Sequence, residues 1–114
     1  MAKRDELVFL EDILESIEKI ASYIENSSEI EFEKNPEKQD AVIRRIEIIG
    51  EAVKNISFDT RNEYPQIPWR EMAGMRDIVV HEYFGVSIGM VWRVAFSDIQ
   101  NLKSDIEKII ADKK

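Results

Sequence analysis

The sequence predicts an all-α fold, an up-and-down helical bundle of four main helices plus short helical turns. Three observations lead there. Apolar residues recur three or four positions apart along long segments, the spacing of one helix face. No segment alternates apolar and polar residues for long enough to suggest a strand. Only four glycines and three prolines interrupt the chain, and no low-complexity run or internal repeat is visible.

The first helix is expected from about Arg4 to Glu25, with Leu7, Leu10, Leu14, Ile17, Ile20 and Ile24 on one stripe and acidic residues outside. Asn26-Ser27-Ser28 breaks it, and Ser28 can cap a short turn through Phe32. Asn35-Pro36 reads as an N-cap followed by proline at the first helical position. The second helix, about Pro36 to Ser57, aligns Val42, Ile46, Ile49, Val53 and Ile56; Ile43, Ile48 and Ala52 widen that surface, so packing on two sides is expected. Residues 58–68 read as turn-rich because Pro65 and Pro68 stop a helix from continuing. Pro68-Trp69 opens a third helix to about Tyr83, Gly85 ends it, and Ser87 can cap a last helix from about Ile88 to Ala111.

At 114 residues the chain fits one domain, residues 1–114. It has no cysteine, which excludes disulfides, thiolate metal sites and cysteine nucleophiles. No apolar run is long enough to cross a bilayer, and the N-terminus leads into charge, so a cytoplasmic protein without membrane contact is expected. The net charge of −7 argues against a general nucleic-acid binder. All of that excess lies in residues 1–67; residues 68–114 carry seven basic and seven acidic side chains and are neutral. An anion site would therefore be a local pocket.

The chemistry concentrates in residues 76–83, Arg-Asp-Ile-Val-Val-His-Glu-Tyr. His81 is the only histidine, the one side chain that exchanges protons near neutral pH without perturbation. Arg76 offers a permanently charged fork that matches phosphate. On a helical wheel Arg76 falls with Trp69, Val80 and Tyr83, whereas Arg70, Asp77 and His81 form a separate polar strip. Asp77 and His81 are i, i+4 neighbours, so the carboxylate can orient the imidazole. Arg76 and His81 lie about 140° apart and roughly 7.5 Å apart along a straight helix. A shared site then needs a local distortion, a long arginine reach or a second copy of the chain, and a homodimer is expected. Glu47 and Glu51 share a face of the second helix, but Glu-x-x-His is absent, so neither metal nor cofactor is expected.

The Arg76-x4-His81-x-Tyr83 pattern, together with Gln39-Asp40-Ala41-Val42-Ile43-Arg44-Arg45, Ile48-Ile49-Gly50-Glu51-Ala52, Ile67-Pro68-Trp69 and Gly74-Met75-Arg76, resembles the HepT-like branch of the HEPN superfamily over nearly the whole chain. The resemblance implies a HEPN-like bundle acting as a metal-independent endoribonuclease, the toxin of a toxin–antitoxin pair. Its partner would be an MntA-type minimal nucleotidyltransferase that attaches AMP to Tyr83, and the motifs of two subunits would meet in a cleft. Arg76 and His81 are then the catalytic candidates, with Asp77 orienting the histidine. Arg44, Arg45 and Arg70 are candidate contacts to an RNA backbone. A different class of function stays open on the residues alone: a non-catalytic helical subunit that binds a nucleotide or small substrate for an associated nucleotidyltransferase, with Arg76 as anion clamp.

Overall fold

The computed structural model describes residues 3–75 and 88–114. Every regular element among them is helical, as the periodicity predicts. Helix α1 spans Lys3–Ile24, α2 Glu29–Glu33, α3 Pro36–Val53 and α4 Phe58–Glu63. Residues 69–75 are the described part of α5. After residue 87 come α6 (Ile88–Arg93), a π-helical turn (Val94–Asp98), a 3₁₀ turn (Gln100–Leu102) and α7 (Lys103–Lys113).

α1 is the central element and packs along both α3 and α7, while α2 bridges α3 and α6. Leu10, Ile13, Ile17 and Ile20 on α1 are fully buried against Val42, Ile46 and Ile49 of α3 and Ile106 and Ile109 of α7 in one core cluster. Ile13 extends the expected stripe, and Leu14 sits at its edge. Gly50 is buried on α3, where a missing side chain suits close helix contact, and Ile43 adds a partly buried flank.

The local signals for helix ends operate largely as the sequence suggests. Asn26 adopts φ 62°, a left-handed conformation that asparagine tolerates, and α1 stops there. Ser28 caps α2, and Glu31 reciprocates through its carboxylate at 2.9 Å from the Ser28 N–H, a complete capping box. Asn35 Oδ1 accepts from the Lys38 N–H at 3.1 Å, with Pro36 in the first turn of α3. Gln39, nearly buried, donates to the carbonyls of Phe32 and Glu33 and so fastens the end of α2 to α3.

Two boundaries depart from expectation. The second helix, expected to reach Ser57, ends at Val53: the Asn55 and Ile56 N–H groups turn back three residues to the Ala52 and Val53 carbonyls, both at 3.0 Å, and Arg61 donates to the carbonyls of Val53 (2.8 Å) and Ile56 (3.1 Å). The stretch read as turn-rich contains α4, with Ser57 as its N-cap; the two prolines lie beyond that helix rather than within it. The last helix is also not continuous: the Ile99 N–H reaches the Val94 carbonyl at 2.9 Å, which inserts one extra residue.

Ser16 is fully buried on α1, and its hydroxyl has no hydrogen-bond partner among the described residues. Alanine removes that unpaired group and suits a helix better, so Ser16→Ala is expected to raise stability by about 1 kcal/mol. A urea or thermal unfolding curve measures this, and a lower midpoint would mean that the hydroxyl is bonded after all.

Candidate active site

Arg76, Asp77, His81 and Tyr83 lie outside the described residues, as do the expected end of the third helix and the Gly85 and Ser87 signals. What the structure builds is the pair of elements that flank them in sequence: α5, which leads into Arg76, and α6, which begins at Ile88.

α5 is anchored hard at its start. The Trp69 indole Nε1 donates to the Tyr64 carbonyl at 3.0 Å, and the Trp69 N–H donates to the Ile67 carbonyl at 2.9 Å. Ile67, Trp69 and Met72 are buried, and Met75 packs at the edge of the core. Arg70 and Glu71 face solvent. Of the two wheel faces only Trp69 and Arg70 are described, and they separate as expected, Trp69 inwards and Arg70 outwards; Met72 and Met75 join Trp69 on the inner side. Gly74 has open space on the side where a Cβ would stand, with nothing within 4 Å among the described residues.

The three candidate RNA-contacting arginines occupy different settings. Arg70 is exposed on α5. Arg44 is exposed on α3 beside a shallow groove that includes Phe9, Ile48 and Asn55. Arg45 is half-buried and reaches Glu15 of α1 at 3.4 Å, so part of its charge is already engaged within the chain. The Glu47–Glu51 pair on α3 is not a lone acidic site either, since Glu51 lies 3.9 Å from Lys54. Among the described residues no cluster of histidine, aspartate or glutamate has the grouping that a metal ion needs.

A cleft of about 780 Å³ is bordered by the start of α1, the end of α3, α4 and the end of α7. Its polar groups satisfy one another. The Ser57 N–H and hydroxyl donate to the Glu6 carboxylate at 3.0 and 3.1 Å, and Lys113 lies 3.9 Å from Glu63. Burial pushes the Glu6 carboxyl upwards, but the hydrogen bonds of Thr60 and Ser57 and the charge of Lys113 outweigh it and hold Glu6 below its usual range. Nearby, Tyr64 donates to Asp112 at 2.8 Å, a bond that raises the phenol pKa. This cleft is a structural junction that ties the start of α1 and the end of α7 to α4.

The α6 side offers a feature that the sequence reading missed. Phe32, Trp92 and Phe96 form a row of rings, with centroids 5.4 Å apart in the first pair and 5.3 Å in the second. Phe32 is fully buried, Trp92 is half-buried and Phe96 is 60% exposed. The signal was available as two aromatics spaced i, i+4, but helical periodicity alone reads such a pair as core.

Comparison with known proteins now bears on these elements. The family model for ribonuclease HepT-like proteins matches residues 13–109, which include residues 76–83. A Methanocaldococcus jannaschii protein named as a gamma-glutamylcyclotransferase and candidate RNase is 48% identical over 110 residues, 96% of this chain and 50% of its own length, so the chain spans about half of that longer protein. A second protein of that organism, named as a candidate RNase, is 47% identical over 112 residues, covering 98% of this chain and 93% of its own. One from Thermococcus cleftensis, named as a probable ribonuclease HepT, is 46% identical over 107 residues, covering 94% and 97%. No solved structure matches the chain significantly. With a family model spanning most of the sequence and relatives this similar over nearly its full length, the chain belongs to the ribonuclease HepT-like family.

Proposed function

We propose that this chain is a metal-independent endoribonuclease that serves as the toxin of a type II or type VII-like toxin–antitoxin pair in the cytoplasm. The observation that supports the reading is the match to the ribonuclease HepT-like family across residues 13–109, a span that includes Arg76, His81 and Tyr83. The names of the relatives from two archaeal organisms point the same way.

The chemistry needs only what residues 76–83 contain. A ribose 2′-hydroxyl attacks the adjacent phosphorus, His81 takes its proton, and the bond to the 5′-oxygen breaks. A 2′,3′-cyclic phosphate and a 5′-hydroxyl result, the leaving oxygen receiving a proton from the second histidine of a homodimer or from water. Arg76 stabilises charge on the phosphoryl oxygens, and Asp77 keeps the imidazole oriented. In this reading a cognate MntA-type minimal nucleotidyltransferase transfers AMP from ATP to the Tyr83 hydroxyl and releases pyrophosphate. The added bulk and negative charge beside Arg76 then repel an RNA backbone.

The test is cleavage of single-stranded RNA in EDTA by wild type and His81→Ala. Cyclic-phosphate ends that appear only with wild type support the reading; intact RNA with both defeats it. The silencing step is read separately by mass spectrometry. Incubation with the partner and ATP should add one or more AMP units to wild type and none to Tyr83→Phe.

A further inference from the structure

A ribonuclease of this composition faces a physical difficulty, because an acidic chain attracts a polyanion poorly and needs some other source of affinity. The aromatic row on the α6 side supplies one. It starts in the core at Phe32, passes through Trp92 at an interplanar angle of 48°, and ends at Phe96, which lies almost parallel to Trp92 at 14°. Phe96 is therefore a flat ring held by a stack rooted in the core, with most of its own surface facing water.

Val91, Ala95 and Ile99 follow one another at helical spacing and are buried, whereas Phe96 lies off that stripe and outside. It sits within the π turn at Val94–Asp98. Such turns occur often at functional sites, since they sacrifice helix regularity to aim a side chain.

We propose that Phe96, backed by Trp92, is a stacking platform for an unpaired base of the RNA substrate, and that Arg93 receives the neighbouring phosphate. The inference rests on the ribonuclease reading for its choice of ligand. Phe96 and Arg93 line one cleft of about 310 Å³ together with Glu29, Gly89 and Ser97. Arg93 is exposed at the end of α6, Gly89 adds no side chain to the lining, and Glu29 is exposed. Glu29 repels phosphate but accepts a hydrogen bond from an exocyclic base amine. That orients the nucleotide, with its phosphate at Arg93 and its base edge at Glu29. A π-face attracts every base without needing positive charge, so the platform suits a chain with this charge balance.

The probe is a fluorescein-labelled oligoadenylate RNA carrying 2′-O-methyl groups, which cannot be cut because the attacking hydroxyl is blocked. Phe96→Ala is expected to weaken its binding about tenfold, Phe96→Leu similarly, and Phe96→Trp little, with melting temperatures close to wild type. The Phe96→Ala deficit should persist at high salt, whereas an Arg93→Ala deficit should shrink as ions screen the phosphate. Unchanged binding by Phe96→Ala, full binding by Phe96→Leu, or no binding by wild type overturns the platform. So does a loss of dimer by Phe96→Ala in sedimentation with RNA affinity intact, which would assign the ring to a second copy of the chain. The two readings fail separately. Cleavage by wild type with Phe96-independent affinity removes the platform alone; Phe96-dependent binding without cleavage of ordinary RNA removes the ribonuclease alone.

Discussion

Replacing His81 with alanine is expected to lower RNA cleavage by roughly 100- to 10,000-fold while leaving the affinity for RNA within a small factor of wild type. The range is that of a general acid–base group acting in the transition state. His81 is the only histidine in the chain, so no neighbouring imidazole can take over the proton transfer. A carboxyl group in water is already ionised at neutral pH and makes a poor acid there. Arg76→Lys should be nearly as damaging as Arg76→Ala, since an ammonium keeps the charge but loses the planar fork that matches two phosphoryl oxygens. Asp77→Asn should cost less, because an amide still holds the imidazole while giving up its charge. Single-turnover cleavage with enzyme in excess, beside equilibrium binding, separates the rate effect from affinity. An unchanged rate for His81→Ala would sink the proposed mechanism outright. Loss of binding in step with loss of rate would favour the helical binding subunit instead.

Much of the architecture could be read from the residues before any coordinates. The stripes on α1 and α3 are strong because their apolar residues are aliphatic, regularly spaced and bounded by Asn26 and by Asn35-Pro36. Where the reading slipped, a distant group had changed the local rules. Nothing near Val53 says that the helix stops there; the end shows only in the tight turns at Asn55 and Ile56 and in the Arg61 side chain, which reaches back to the Val53 and Ile56 carbonyls. α4 was obscured by Pro65 and Pro68, although its Ser57 cap was already in the sequence; the prolines exclude helix at their own positions and not six residues earlier. The π turn has no composition signal at all, since Val94-Ala95-Phe96-Ser97-Asp98 contains neither glycine nor proline. The candidate residues divide along the same line. Arg76, His81 and Tyr83 draw notice in the sequence because His81 is the one histidine and a phosphate-matching arginine stands near it, whereas Phe96 is visible only once its exposure is known.

Phe32→Ala is expected to be the most destabilising single change outside the motif, costing about 3–5 kcal/mol and lowering the melting temperature by roughly 10–25 °C. Among the described residues Phe32 is the largest of the fully buried side chains, and it sits on a helix of only five residues. So short a helix has almost no stability of its own, so α2 is held by its capping box, by Gln39 and by this ring. Truncation leaves a cavity against Trp92 and removes the inner member of the ring row. The consequence should extend beyond stability. With Phe32 gone, Trp92 is free to sink towards the vacated space, and Phe96 loses the parallel partner that fixes its plane. RNA binding by folded Phe32→Ala, measured well below its melting temperature, should therefore fall by nearly as much as in Phe96→Ala. The Phe32→Ala, Phe96→Ala double variant should bind little worse than either alone, because residues in contact do not contribute independently. Fully additive losses would mean that Phe32 supports the core alone and that Phe96 holds its orientation without the stack.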